Sequence, residues 1–461
     1  MRILFLFLAS SLLAWADEPL NVVLIFTDDQ GYNDLGCFGS ETIKTPNLDQ
    51  LASEGRKFTS FYVASPICTP SRAALLTGCY PKRVELAKGV LFPNSTTGLN
   101  PKEYTLGDHF SAHGYATACI GKWHLGHHPE VLPTANGFDS YYGIPYSNDM
   151  NHLNKKKTPP SSSEGMDVLW NDPESAITAW QTPLMKNEEI IELPVDQRTI
   201  TRRYTDRAIE FINQSAESKK PFFLYLPHSM PHIPLYVPDE VRDPDSKNAY
   251  RNVIEHIDHE VGRLMTTLRE SKLAENTLVI FTSDNGPWLR FKHHGGSAKP
   301  LRNGKTTNFE GGQRVPCLMW APGRIPANTV CSDMLSTMDL LPSLCSLTGT
   351  TLPDDLTIDG LDASTTIVGK ETSPRSEFLY YSQAGQLTGI RQGDWKLLLL
   401  SNKKEEAPKT HLFNLAEDLS EKKNLAKSSP KKVTELTQRM QECDREIAAG
   451  IRPSWKKVKT P

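Results

Sequence analysis

The sequence predicts an α/β fold, a mostly parallel sheet wound between helices, and three observations carry that expectation. Short continuous apolar runs rich in β-branched or aromatic residues recur at 21–27, 221–226 and 277–282, the composition of strands covered on both faces. Between them helix-spaced apolar patterns alternate with strand patterns, as a doubly wound arrangement requires. At 461 residues the chain can bury a large core and form one large domain plus a smaller one.

Charge and targeting narrow the function classes. With 51 basic and 54 acidic residues the net charge is −3, so there is no general attraction to nucleic acid or to an anionic membrane, and any anion binding must be local. Arg2 precedes an apolar run that ends at Ala14-Trp15-Ala16, a charged region, a short hydrophobic region and an A-x-A site, which predicts a signal peptide over 1–16. The run is too short to span a bilayer comfortably, and no other stretch is long and apolar enough, so no membrane span is expected. Export is the expectation, to the periplasm or the exterior in a bacterium, to the lysosome or the exterior otherwise. Eight cysteines (37, 68, 79, 119, 317, 331, 345 and 443) lack the close spacing of a structural zinc site.

In chain order, the strand at 21–27 ends at Asp28-Asp29-Gln30-Gly31. Adjacent carboxylates at a strand's carboxyl end repel each other unless a cation lies between them, and the crevice there is where open α/β sheets place ligands. The strand at 277–282 leads into Ser283-Asp284-Asn285-Gly286 in the same way. Either pair alone is equally a solvated turn. Together they suggest four oxygen ligands converging on one hard divalent cation, calcium before magnesium, with zinc disfavoured by oxygen-only ligation.

Residues 46–55 read as a short helix closed by a glycine. Cys68-Thr69-Pro70-Ser71-Arg72 then opens an apolar, helix-compatible run through Gly78. A cysteine entering a helix meets unpaired N–H groups and the helix dipole, so a thiolate or another anion is expected to be stabilised there. Arg72, one turn on, adds a planar fork suited to tetrahedral oxyanions. The plainer reading is a buried cysteine beside an incidental arginine, yet Cys-x-Pro-x-Arg arises by chance in only a few per cent of chains this long.

A helix at 105–114 and a strand at 115–120 deliver Gly121-Lys122-Trp123-His124-Leu125-Gly126, in which Lys122 and His124 share one side if extended. Residues 151–198, with Lys155-Lys156-Lys157 and Pro159-Pro160, read as an exposed polar insertion. After a helix from 199, the strand at 221–226 ends in Pro227-His228-Ser229-Met230-Pro231-His232; His228 is the stronger functional candidate and His232 the weaker. Tyr250 to Leu268 carries an apolar stripe at helical spacing, which is core packing. Trp288, Arg290, His293 and His294 form an aromatic and cationic loop, each singly as consistent with an ordinary polar loop. The main domain is expected to span 17–370. Beyond it, 371–461 reads as a small subdomain, with strands at 377–381, 389–399 and 411–415 and a final amphipathic helix.

The Cys-x-Pro-x-Arg motif continuing as Ala-Ala-Leu-Leu-Thr-Gly resembles the signature of the type I sulfatases. Gly121–Gly126, residues 300–305 and residues 310–316 match further motifs of that family, and 137–149 look most like the arylsulfatase A and N-acetylgalactosamine-sulfatase branch. The resemblance implies an alkaline-phosphatase-like fold: a large mixed, mostly parallel sheet between helices, with a small C-terminal antiparallel sheet and helix. It also implies that Cys68 is oxidised to formylglycine by a formylglycine-generating maturation enzyme, and that one calcium ion is held by Asp28, Asp29, Asp284, Asn285 and position 68. Arg72, Lys122 and Lys305 would bind sulfate and the nucleophile, His228 would protonate the leaving sugar oxygen, and His124 would take the proton whose loss expels sulfate. Trp288, Arg290, His293 and His232 are the weaker candidates for contacts to a sulfated galactose or N-acetylgalactosamine. Two rivals stand beside this expectation: a phosphate or phosphonate monoester hydrolase on the same scaffold, and a catalytically silent glycan-binding homologue in which Cys68 is never converted.

Overall fold

The computed structural model describes residues 19–153, 162–401 and 407–458. The expected signal peptide, the lysine run 155–157 and the first part of the charged loop from 402 lie outside the described residues. An 11-stranded mixed sheet forms the centre. Asn21–Thr27, buried along its whole length, lies between Phe222–Pro227 and Thr277–Ser283 and runs parallel to both. Outward on one side come Ala116–Ile120 and Ser140–Gly143, also parallel, then the antiparallel edge strands Leu184–Lys186 and Glu189–Glu192. On the other side Arg314–Trp320 runs antiparallel, followed by Arg56–Tyr62, to which Thr329–Cys331 and Leu335–Ser336 both pair.

Side chains of one strand point alternately to opposite faces, and the central strand shows what each face packs against. Val23 and Ile25 join a core with Leu48 and Leu51, Tyr204 and Ile212, and the stripe of the helix Ala249–Glu270. Val22, Leu24 and Phe26 join the opposite core with Leu75, Leu76, Phe110, Leu340 and Leu344. Both faces are therefore covered, as near-continuous apolar strands require. All eight apolar positions of the Tyr250-to-Leu268 stripe are buried.

Two expectations change. The polar stretch 151–198 is not simply an exposed insertion: helices Ser163–Asn171 and Pro173–Ala179 bury Met166, Trp170, Ala176 and Ile177 in the first core. Met166 and Trp170, four apart, form a short stripe that polar composition conceals, and Ser162 caps the helix by accepting from the Gly165 N–H. The apolar stretch 389–399 is two strands, Leu387–Gln392 and Trp395–Leu400. They turn at Gly393-Asp394, where Gly393 takes a φ of +54° that a side chain would resist.

With Glu377–Tyr381 and Lys409–Asn414 these strands form a four-stranded antiparallel sheet, over which Pro430–Ala449 buries Leu436, Met440, Cys443 and Ile447. Phe378, Tyr380, Leu397 and Leu412 share a core with Tyr62, Met338 and Phe309 of the large sheet's side. A buried charge cluster joins the two sheets. Lys396 Nζ lies 2.8 Å from Glu310 Oε1 and 2.9 Å from Glu421 Oε1, with all three side chains out of solvent. Tyr62 and Tyr380 donate to Glu310, and Arg314 lies 3.2 Å from it. Burial would raise Glu310, but Lys396, Arg314 and Arg391 outweigh it and hold the carboxyl well below its usual range.

Removing one partner of a buried pair strands the other charge, so Lys396→Met should lower unfolding free energy by about 3–5 kcal/mol, read from the urea midpoint. Lys432→Met, which breaks the partly exposed pair with Glu435, should cost less than about 1 kcal/mol, and equal shifts would refute the cluster's role. His109 supplies a pH-dependent test. Burial, aided by His113, lowers its pKa from the usual 6.5 to about 4, and the neutral ring meets Thr350 Oγ1 at 2.7 Å and Tyr104 OH at 3.1 Å. The unfolded chain binds this proton more tightly, so the contribution is present above pH 6.5 and lost as pH falls toward 4. Thermal unfolding of His109→Gln should therefore decline less between pH 6.5 and 4 than that of the parent chain.

Candidate active site

The functional side chains collect at the carboxyl ends of the parallel strands. Asp28 and Asp29 follow Asn21–Thr27, Lys122 and His124 follow Ala116–Ile120, His232 follows Phe222–Pro227, and Asp284 and Asn285 follow Thr277–Ser283. The in-register pairing of Thr27 with Ser283 puts the two acidic turns side by side. Asp284 accepts from the Asp29 N–H at 3.1 Å, and Asn285 Nδ2 donates to Asp29 Oδ1 at 2.7 Å. Groove size alone would mislead: a groove of about 810 Å³ lined by Arg269, Trp320 and Arg324 lies toward the amino ends of these strands.

Each carboxylate faces a cation. Lys122 donates to Asp28 and lies 3.1 Å from Ser147 Oγ. Lys305 donates to Asp29 Oδ2 at 2.7 Å and sits over the Trp288 ring at 4.2 Å. Arg72 grips Asp284 Oδ2 through Nε at 3.1 Å and Nη2 at 2.8 Å, and donates from Nη1 to the Lys122 carbonyl at 2.8 Å. Its fork, expected to face a tetrahedral anion, is instead committed to positioning a carboxylate. Burial would raise Asp28, but Lys122, His232, Arg72 and Lys305 outweigh it and hold the carboxyl far below its ordinary range. Asp284 goes the other way: burial, with Asp28 and Asp29 close by, pushes it up to about 7.

Cys68 is the first residue of the helix Cys68–Thr77, with Sγ 3.5 Å from Asp28 Oδ1. The expected thiolate is not what the surroundings favour. Burial pushes the thiol well above its usual range, Asp28 and Asp284 add to this, and Lys122 and Lys305 only partly oppose it. Helix-end polarity is outweighed by desolvation and by neighbouring carboxylates.

The histidines divide differently from expectation. His232, the weaker candidate, lies 3.7 Å from Asp29 Oδ2 and 5.4 Å, ring to ring, from Trp288; its Nδ1 donates to the Ile233 carbonyl at 2.6 Å. His228, the stronger candidate, is buried beside Tyr204, and neither ring nitrogen meets a partner among the described residues. Burial, with His256, lowers its pKa to about 3. The structure thus brings His232, not His228, to the carboxylates. His124, at φ +60°, bonds through Nε2 to the Leu91 carbonyl at 3.0 Å and leaves Nδ1 buried without a partner among the described residues. Arg290 is exposed, and His293 pairs with Asp167 at 2.8 Å, away from the carboxylate cluster.

Residues that sequence reasoning passed over complete the arrangement. Ser147 Oγ bridges Lys122 and His232 Nδ1, the latter at 3.5 Å, and Asn148 Nδ2 donates to the Pro234 carbonyl at 3.1 Å, holding the His232 loop. Both lie in the stretch 143–149, where the signal was a matched motif without an assigned role. Gln30 is fully buried with both side-chain polar atoms unpartnered among the described residues.

The oxygen donors Asp28, Asp29, Asp284 and Asn285 suit a hard divalent cation, while Cys68 and His232 close the same space with atoms of other kinds. Asp28, Asp29, Cys68 and His232 offer atoms within 4.8 Å of one another, and Asn285 Oδ1 is buried with no hydrogen-bond partner among the described residues. A nearby divalent charge is also what would let Asp284 ionise beside two other carboxylates.

Comparison with known proteins agrees with this geometry. A sulfatase family model matches residues 20–350, and a model described as N-sulphoglucosamine sulphohydrolase, C-terminal, matches 304–447. The chain is 39% identical to arylsulfatase A of Homo sapiens over 82% of its own length and 74% of the relative's. It is 36% identical to N-acetylgalactosamine-6-sulfatase of Canis lupus familiaris over 83% and 72%. The crystal structure of Ps i-CgsB in complex with k-i-k-neocarrahexaose superposes with a TM-score of 0.79 at 29% identity, over 96% of each chain. The chain belongs to the sulfatase family and is a sulfuric ester hydrolase with the alkaline-phosphatase-like fold.

Proposed function

We propose that this sulfatase is exported and removes sulfate from galactose or N-acetylgalactosamine units of carbohydrates, using formylglycine made from Cys68 and one calcium ion. The observation that carries the reading is Cys68 at a helix start, facing Asp28 between Lys122 and Lys305. The Cys-x-Pro-x-Arg motif at this position and the family match support conversion of this side chain by a maturation enzyme. Formylglycine would supply the attacking oxygen there, and calcium, held by Asp28, Asp29, Asp284 and Asn285 beside position 68, would supply charge against the sulfate oxygens.

The chain's own residues take the remaining roles. Lys122 and Lys305 hold fixed positive charge on either side of the carboxylates, placed to neutralise sulfate oxygens, while Arg72 keeps Asp284 oriented. The Leu91 carbonyl can only accept, so His124 carries its proton on Nε2 and presents a lone pair on buried Nδ1, the form a general base needs. The Ile233 carbonyl likewise puts the His232 proton on Nδ1, which leaves Nε2 facing the site; the second proton taken up there is the one for the leaving sugar oxygen. The names of the relatives, an N-acetylgalactosamine-6-sulfatase and a structure holding a neocarrahexaose, support a galactose-type sugar. The predicted leader over 1–16 supports export, and no helix among the described residues is long and apolar enough to cross a membrane.

Protein with residue 68 confirmed as formylglycine by peptide mass should release sulfate from one regioisomer in a panel of monosulfated galactose, N-acetylgalactosamine, glucosamine and uronate sugars. Chelation should abolish release and calcium restore it. Cleavage of a phosphate ester in preference to the sulfate ester of the same phenol would overturn the reading, as would unconverted Cys68 in protein made beside a competent maturation enzyme. His232→Asn should cut kcat/KM by about 100-fold or more, whereas His228→Gln should stay within about threefold of the parent. The reverse order would return the acid role to His228.

A further inference from the structure

A second group of metal-type donors lies outside the carboxylate cluster. Asp167 Oδ1, on the helix Ser163–Asn171, is 2.8 Å from His293 Nε2 and 3.0 Å from His294 Nε2. The three donor atoms fall within 4.8 Å of one another. Neighbouring side chains on a regular backbone diverge, so two consecutive histidines do not ordinarily reach one oxygen. Here the chain kinks at Lys292, whose φ of +50° and ψ of −114° are unusual for a residue with a side chain, and the two rings come to 4.5 Å between centroids. Backbone strain of this kind needs a compensating interaction.

Asp167 is held by hydrogen bonds from both imidazoles and from Ser246, the contacts that a cation binding there would displace. Ser163 Oγ lies 3.1 Å from His293 Nδ1 and 3.4 Å from its Nε2, an outer partner that would steady the ring when Nε2 gives up the proton it donates to Asp167 and takes a metal instead. His294 is buried, while Asp167 and His293 are each a little under one-third exposed, so the group is walled on one side and open to a water on the other. Lys292, the nearest cation in sequence, is turned to Glu164 at 3.1 Å.

We infer that Asp167, His293 and His294 form a second metal site, for a borderline divalent cation of the zinc type with water in the fourth position. Two imidazoles and one carboxylate suit zinc or cobalt(II) and not calcium, so the site is chemically distinct from the oxygen cluster at Asp28. It ties the helix Ser163–Asn171 to the turn that follows Trp288, whose ring lies against Lys305 and His232. An ion there would hold the rim of the sulfate site in place.

The test uses the full chain, stripped of metal, saturated with calcium and titrated with cobalt(II). Visible absorption bands should saturate at one cobalt per chain and be displaced by zinc. Asp167→Asn and His293→Gln should each weaken cobalt binding by about 10-fold or more, and Ser163→Ala, which keeps all three ligands, by about 10-fold. X-ray absorption on the zinc-loaded chain should report nitrogen and oxygen neighbours. Absence of bands, bands that survive both ligand substitutions, or sulfur in the zinc shell, which would place the ion at Cys68, would each overturn the proposal. The readout is metal binding, so it stands or falls independently of whether the sulfate-release assay succeeds.

Discussion

Three buried carboxylates and three buried cations share one space at the carboxyl edge of the large sheet, and much of the structure serves to make that possible. Asp28, Asp29 and Asp284 are each in contact with one of Lys122, Lys305 and Arg72. A charge taken out of water is costly unless its partners are held in good geometry, so none of these side chains could occupy its place alone. With Asp284 ionised, the six formal charges balance. A divalent cation added to them leaves a net positive pocket, which is the condition for drawing in an anionic ester and stabilising charge on its oxygens.

The scaffold accepts local strain to keep this arrangement. Asp29 and His124 both sit at positive φ, a conformation that costs a residue with a side chain on the order of 1–3 kcal/mol and persists only when neighbours enforce it. For Asp29 the enforcing groups are Asp284 and Asn285, from the turn after the adjacent strand. Support for Lys305 comes from further away. The segment from 300 to 313 is held by the small C-terminal sheet: Arg302 donates to the Glu421 carbonyl at 2.7 Å, Glu421 accepts from the Glu310 N–H, and Lys396 joins both carboxylates. The second sheet's side of the molecule therefore buttresses the segment that carries Lys305 to Asp29.

What was legible beforehand follows the range of the forces involved. The strand at 21–27 and the stripe from Tyr250 to Leu268 could be read because periodic burial leaves a periodic pattern. The paired Asx turns after two such strands could be read because like charges placed next to each other demand a reason. The hairpin at Gly393-Asp394 left a signal in its glycine, but the apolar run continuing across it masked the turn. The helices of the 151–198 stretch were hidden by average polarity, which conceals a stripe as short as Met166 and Trp170.

By itself the sequence determined the alternation of strands and helices, the carboxylates that call for a cation, and the cysteine at the head of a helix, because each depends on residues close together in the chain. Only the tertiary structure decided which histidine joins them. His228 and His232 leave the same strand four residues apart, and the path of one loop carries the second to Asp29 and leaves the first beside Tyr204. It also decided that Arg72 serves Asp284, that Cys68 is buried against Asp28, and that Asp167 meets two histidines more than 120 residues away. Desolvation and charge pairing depend on what surrounds a group in space, and no local pattern records those surroundings.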